Sequence, residues 1–338
     1  MAPELRIVKL ADLKTGVLAD CFVLLAAKDR ATTRDGKPYY RVTFRDAGRS
    51  LVAMVWSDTP WFEGCEGSWK IGACYKLRCR CVESQFGLQL ELDRIRLVEE
   101  ADRKDGFEEA ALVKSTRFDV EAMFAELLTV ARERISPDAL SRLVVGILEE
   151  HAEAIKRAPA AQKNHHAYAG GYLEHVLSVT RNAVFLAEKY LADYPNMRPP
   201  LSTGLVFAGA ILHDVGKLIE LEFRMEGTRR TPEGQLIGHV LLGRDMVRER
   251  GKQIPELDRE TLLRLEHIIV AHQNLPEWGS PIPPHTPEAL LVYFADDLDA
   301  KFHMLAATLE GASADDDEFT PRDNPLRRGI FRGLRPRD

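Results

Sequence analysis

Between residues 16 and 98 apolar and polar side chains alternate with a period of two, and from Phe118 onward the period changes to that of a helix. The first region divides at turn signals into five strands. Gly16 to Ala27 is the first, followed by the turn Asp35-Gly36-Lys37-Pro38. Tyr39 to Asp46 is the second, Ala47-Gly48-Arg49 a turn, and Ser50 to Trp56 the third. A looser segment, Asp58 to Gly72, carries Trp61, Phe62 and Trp69, and the alternation resumes over Cys74 to Glu83 and Gly87 to Leu97. Five strands with a break after the third predict an OB-type β-barrel. Parity assigns faces: Tyr75, Leu77, Cys79 and Cys81 share one, as do Tyr40, Val42 and Phe44. In the last strand Leu88, Leu90 and Leu92 have one parity and Ile95 and Leu97 the other, which predicts a bulge near Asp93-Arg94. Trp56, Trp61, Phe62 and Trp69 read as core or hinge packing ahead of base stacking.

The charged stretch Glu99 to Lys114 has no sustained apolar face and reads as a connection. Beyond it, Val120, Phe124, Leu127, Leu128 and Ala131 make an amphipathic helix, and Ser136-Pro137 opens another running to about Arg157. Further helices are expected at 170–192, 201–217, 236–251, 258–271 and 287–311. The fold class is therefore multidomain α and β: a five-stranded OB-type barrel (1–98), a linker (99–117) and an all-α bundle (118–313). The final stretch, 314–338, holds an acidic run, helix breakers and six arginines; it reads as a basic, disordered tail.

Composition narrows the possibilities. With 45% hydrophobic and 29% charged residues among 338, the chain is globular, and no apolar run is long enough to span a membrane. No signal-like apolar segment opens it. All five cysteines fall in the barrel region without metal-ligand spacing, which fits reduced thiols and a cytoplasmic setting. A net charge of −6 excludes a generally basic coat but not a local strip. Such a strip is available in the barrel: Arg41 and Arg45 on the second strand, and Lys76, Arg78 and Arg80 on the fourth, oppose the apolar faces. They suit the walls of a groove for single-stranded nucleic acid, or equally an ordinary solvated face.

All ten histidines lie beyond residue 150. His213-Asp214 closes an apolar helical run, and His165, His166, His175, His239, His267, His272 and Asp296 lie at other predicted helix ends or beside carboxylates. Imidazoles and carboxylates brought together from separate helices are how bundles bind metals. The segments KNHHAYAGGYLEHVLSV, LHDVGK, IGHVLLG, HIIVAHQNLPEWGSP and YFADDLDA resemble the HD superfamily of metal-dependent phosphohydrolases. Within it the chain is similar to the YhaM-like 3′→5′ exoribonucleases, which join an OB domain to an HD domain, over about residues 16–312.

That resemblance implies a first metal on His175, His213, Asp214 and Asp296, and a second on His239 and His272 with Asp214 bridging; His267 is a weaker candidate ligand. Asp297 and Asp299 would lie behind the ligands or at the surface. It further implies His166 near phosphate at the pocket mouth and Lys217 neutralising charge on the phosphate. His151, His285 and His303 read as ordinary core or surface histidines. Gly170-Gly171 lets the backbone approach the site and starts the His175 helix. Gln273 stands where many relatives carry a further histidine, which leaves one or two metals open. The His/Asp mixture suits manganese, iron, cobalt or zinc better than calcium, and magnesium less; manganese is the first choice. The implied activity is metal-dependent hydrolysis of single-stranded RNA (or DNA) from its 3′ end to nucleoside 5′-monophosphates, with no membrane partner and homo-oligomerisation left open. Hydrolysis of free or cyclic nucleotides, or RNA binding with a vestigial HD site, are the alternatives.

Overall fold

The computed structural model describes residues 6–85, 87–162, 165–311 and 318–334. Contacts divide it into two compact units, Met1–Ser115 with Arg224–Gly227, and Thr116–Phe223 with Thr228–Asp338.

The first unit is built on β1 (Leu18–Thr32), β2 (Pro38–Arg45), β3 (Ser50–Trp56), α1 (Phe62–Gly67), β4 (Cys74–Ser84) and β5 (Gly87–Leu97). The strands close in the order β1-β2-β3-β5-β4, with β4 returning to β1. All neighbours are antiparallel except β3 and β5. This is an OB-type barrel, as the alternation predicts. β1 runs beyond its expected end at Ala27 because a register shift between Leu25 and Ala27 lets it keep pairing with β2 to Thr32. The predicted bulge is present too: Arg78 pairs with Arg94 and Cys79 with Leu92, leaving Asp93 as the extra residue.

Side-chain parity holds in the core. Tyr75, Leu77, Cys79 and Cys81 are buried with Tyr40, Val42 and Phe44. Trp69 is in the same core, whereas Trp56 is 42% exposed and lies against Tyr39. The charged stretch after β5 folds into short 3-10 turns, Glu100–Asp105 and Glu109–Leu112. It places Phe107 and Leu112 on Phe22 and Leu24 of β1. Its apolar residues have no helical or strand period because they pack singly, which is why they read as a linker.

The second unit contains α2 (Val120–Glu133), α3 (Asp138–Glu150), α4 (Ala152–Arg157), α5 (Gly171–Asp193), α6 (Thr203–Leu212) and α7 (Lys217–Glu220). After a hairpin of β6 (Leu221–Arg224) and β7 (Gly227–Arg230) come α8 (Pro232–Leu236), α9 (His239–Lys252), α10 (Arg259–Ala271) and α11 (Pro287–Glu310). The region is helical as expected, with this hairpin as an addition that the sequence did not show; its four-residue strands are too short for alternation. The helix expected over 136–157 is broken at His151. α6 is apolar on every side and buried from Gly204 to Leu212, the signature of a core helix.

The tail expectation is also corrected over residues 318–334. Phe319 and Phe331 pair across a bridge, and Thr320 N–H donates to Ile330 O. Asn324 Nδ2 donates to Pro321 O and Arg328 O, which closes the turn. Residues 312–317 and 335–338, where the rest of that expectation falls, lie outside the described residues.

Candidate functional site

His213 and Asp214 follow directly on α6, whose burial fixes both in the interior. The turn they open is held close to α9 by Gly216: a Cβ there would lie 2.0 Å from His239 O. Gly171 does the same at the start of α5, where a Cβ would meet His166 O at 2.1 Å. Only glycine permits these approaches. Through them His175, His239 and the His-Asp pair converge, with His272 arriving from the end of α10 and Asp296 from α11.

Two trios result, His175/His213/Asp296 and Asp214/His239/His272, each with its ligating atoms within 4.8 Å of one another. The four histidines are oriented from behind. His213 Nδ1 lies 2.8 Å from Ala210 O and His272 Nδ1 2.7 Å from Ile269 O. His175 Nδ1 lies 2.7 Å from Asp299 Oδ2, and His239 Nδ1 3.1 Å from Glu220 Oε2. Those partners are acceptors, so Nδ1 carries the proton in each ring and Nε2 presents its other face to the centre.

At the centre, acceptors face acceptors. His213 Nε2 and His175 Nε2 are 3.4 Å apart, and Asp214 Oδ2 and Asp296 Oδ1 lie 3.2–3.7 Å from them. Asp214 Oδ1 is 3.4 Å from His239 Nε2 and 3.6 Å from His272 Nε2. Asp214 Oδ1 and His272 Nε2 are buried without a hydrogen-bond partner. Leaving such groups orphaned costs about 1–3 kcal/mol each, more when charged. A cation between them removes that cost, so the donor set fits a metal of nitrogen and oxygen preference.

The electrostatics agree. Burial alone would lower the pKa of His175, but Asp214, Asp296 and Asp299 outweigh it and raise it well above the ordinary value. Burial would raise Asp214, but Lys217, His213 and His175 hold it well below the carboxylate range. The site is thus an excess of fixed carboxylate, which attracts either protons or metal to the same nitrogens.

Other expected residues fall differently. Lys217 Nζ is 2.6 Å from Asp214 Oδ2 and lines the pocket beside it. His166 is not at the mouth. It is buried, its Nδ1 2.9 Å from Tyr168 Oη and its Nε2 3.3 Å from Asp299, and its ring stacks on His303 at 3.8 Å. His165 lines the pocket instead, and burial, followed by His175 and Lys217, brings its pKa down to about 3. His267 is excluded from the cluster: five residues before His272 is about 140° around the helix, and its Nε2 accepts from His285 N–H. Asp297 pairs with Lys301 on the lining of the same pocket. Gln273 lies within reach of the second trio, Nε2 3.1 Å from His239 Nε2.

Glu220 and His303 carry no sequence signal that separates them from ordinary helix residues. His303 lies seven residues beyond Asp296 on α11, a spacing that puts both on one face but that any helix residue could share.

The pocket over the centre has a volume of about 540 Å³, within the range of small-ligand sites. A separate cavity of about 420 Å³ on the barrel is lined by Trp61, Lys76, Arg78, Arg94 and Arg96. Its cations are less free than the alternation implied. Arg78 grips Asp20 with two hydrogen bonds, and Lys76 contacts Asp102 and Asp105. Arg45 donates to Met225 O and is drawn away from the groove. Arg41 is exposed, and Arg80 reaches Glu91 only at 3.9 Å.

Fold and site together describe an OB-type barrel and a helical unit that carries a histidine–carboxylate centre. The family model described as HD domain matches residues 172–301. The barrel region is similar to the second OB-fold domain of replication protein A from Methanococcus maripaludis, solved by NMR. That match has 16% identity over 28% of this chain and 96% of that one, with a TM-score of 0.22. A crystal structure of a domain of replication protein A from the same organism matches at 14% identity over 28% and 98%, with a TM-score of 0.23. No described helix is long and apolar enough to cross a membrane.

Proposed function

We propose that the protein is a metal-dependent phosphodiesterase that hydrolyses single-stranded RNA from its 3′ end to nucleoside 5′-monophosphates. The observation that carries this reading is the convergence of four imidazole Nε2 atoms on Asp214 and Asp296 at the floor of a polar pocket. His175, His213, Asp214 and Asp296 would hold one divalent cation. Asp214, His239 and His272 would hold a second, with Gln273 beside it. Manganese is the ion proposed, with iron, cobalt or zinc as substitutes that an imidazole–carboxylate set also accepts. Such ions polarise a phosphodiester and lower the pKa of water.

The chain's own groups do the remainder. Asp299 and Glu220 fix the imidazole orientations, and Lys217 supplies a cation at the pocket floor that offsets negative charge on the phosphate. The barrel would hold the body of the strand through Arg41, Arg80, Arg94 and the partly paired Lys76 and Arg78.

The test is an RNA labelled at its 5′ end and incubated with Mn²⁺. Progressive shortening from the 3′ end, lost on chelation and in His213→Ala or Asp214→Ala while strand binding stays within a few-fold, is expected. Intact RNA beside hydrolysed free or cyclic nucleotides would transfer the activity to a nucleotide hydrolase. Full turnover in either variant would remove the metal mechanism.

A further inference from the structure

The pocket above the histidine–carboxylate centre has a wall that the known ligand pattern does not provide. Pro325, Leu326, Arg327 and Arg328, from the loop that follows α11, line it together with Asp214, Lys217 and His272. The loop is tied back on itself, and Asn324 fixes its tip. The Asn324 amide donates to the carbonyls of Pro321 and Arg328, and its Oδ1 accepts from Leu326 N–H at 3.0 Å. Arg327 adopts φ 53°, a left-handed conformation unusual outside glycine and held by that turn.

Both guanidinium-bearing residues are exposed, and among the described residues neither forms an ion pair with a carboxylate. This sets them apart from Lys217 and Lys301, the pocket's other cations, which are paired with Asp214 and Asp297. Arg328 Nε donates to Leu326 O at 3.4 Å, and guanidinium groups without a carboxylate partner, carried on this tied loop at the rim of the pocket, match the fork geometry of phosphate. Their depth matters as well: Lys217 is buried at the floor, whereas the arginines face solvent. The exposed ring of Trp278 on the same pocket offers a platform for a base.

We infer that Arg327 and Arg328 form a clamp for a second phosphate, the one on the 5′ side of the scissile phosphodiester, so that the pocket selects the end of a polynucleotide over a mononucleotide. This rests on the phosphodiesterase reading above. No bond is made or broken by the clamp; these are positioning residues.

The experiment uses the full metal-loaded chain and an adenine dinucleotide whose scissile bridging oxygen is replaced by methylene, with or without a 5′-phosphate, so binding is read without turnover. The expected result is roughly a tenfold preference for the 5′-phosphorylated ligand in the native protein. That preference should fall to near unity in the double variant Arg327→Gln/Arg328→Gln, with affinity for the unphosphorylated ligand retained. A 5′-phosphate preference unchanged in the variant would overturn the clamp and leave hydrolysis untouched. A native protein indifferent to the 5′-phosphate, but binding ADP through these arginines, would overturn it in favour of a nucleotide diphosphate site. Native preference lost in the variant, in a chain that hydrolyses no RNA, would support the clamp and sink the exonuclease reading, so the two fail separately.

Discussion

Asp299 and Glu220 show how far a single residue's role depends on what stands behind it. Neither needs to touch a metal to matter, since each accepts a hydrogen bond from the Nδ1–H of a histidine whose Nε2 faces the centre. Removing such partners typically weakens metal affinity by about 10–100-fold. Asp299→Asn and Glu220→Gln should each reduce Mn²⁺ affinity by about that range, measured by calorimetric titration, with the helical fold retained by circular dichroism. Unchanged affinity in both would mean that the rings are held by packing alone. At this scale the six candidate ligands were legible only through the resemblance of their segments to the HD superfamily, which named four histidines and two aspartates that the fold brings together. Which histidine faces the pocket was not. His165 and His166 are adjacent, and a φ of 47° at His166 turns one inward and leaves the other on the pocket wall.

At the scale of elements, period and turn chemistry were good guides where the element is long. β3 and β5 match their expected bounds, and the Asp93 bulge follows from a parity change alone. Short elements escaped. The four-residue strands of the hairpin carry too few positions for a period, and the turns after β5 are organised by one buried carboxylate. Asp102 accepts two hydrogen bonds from Arg96, one from Glu99 N–H and one from Lys76. These partners, Arg96 foremost, hold its pKa well below the ordinary carboxylate range. A depressed pKa stabilises the fold fully above about pH 5, and that contribution is lost as pH falls through and below the unfolded value of about 3.9. Asp102→Asn should therefore cost about 2 kcal/mol at neutral pH and flatten the acid limb of stability. Urea unfolding followed by tryptophan emission reports on it, since Trp56, Trp61 and Trp69 all lie in the barrel unit. An acid limb identical to that of the native chain would assign the turn's stability elsewhere.

For the whole molecule, the change of period near residue 118 announced the division into barrel and helical unit. The loop over 318–334 was hidden, because its closure depends on Phe319 meeting Phe331 and on one asparagine, not on any repeat. Its consequence is that residues 325–328 lie on the pocket, so a truncation before Glu318 would remove part of the site's wall. Everything in the functional account depends on Asp214, whose two oxygens face both trios and one of which has no hydrogen-bond partner. The most direct measurement is therefore Mn²⁺ binding to the full chain and to Asp214→Asn, followed by calorimetry or electron paramagnetic resonance. The account predicts tight uptake by the native chain and its collapse in Asp214→Asn, while His239→Ala spares the ion on His175, His213 and Asp296. Uptake undiminished by Asp214→Asn, or no uptake by the native chain at all, would contradict it.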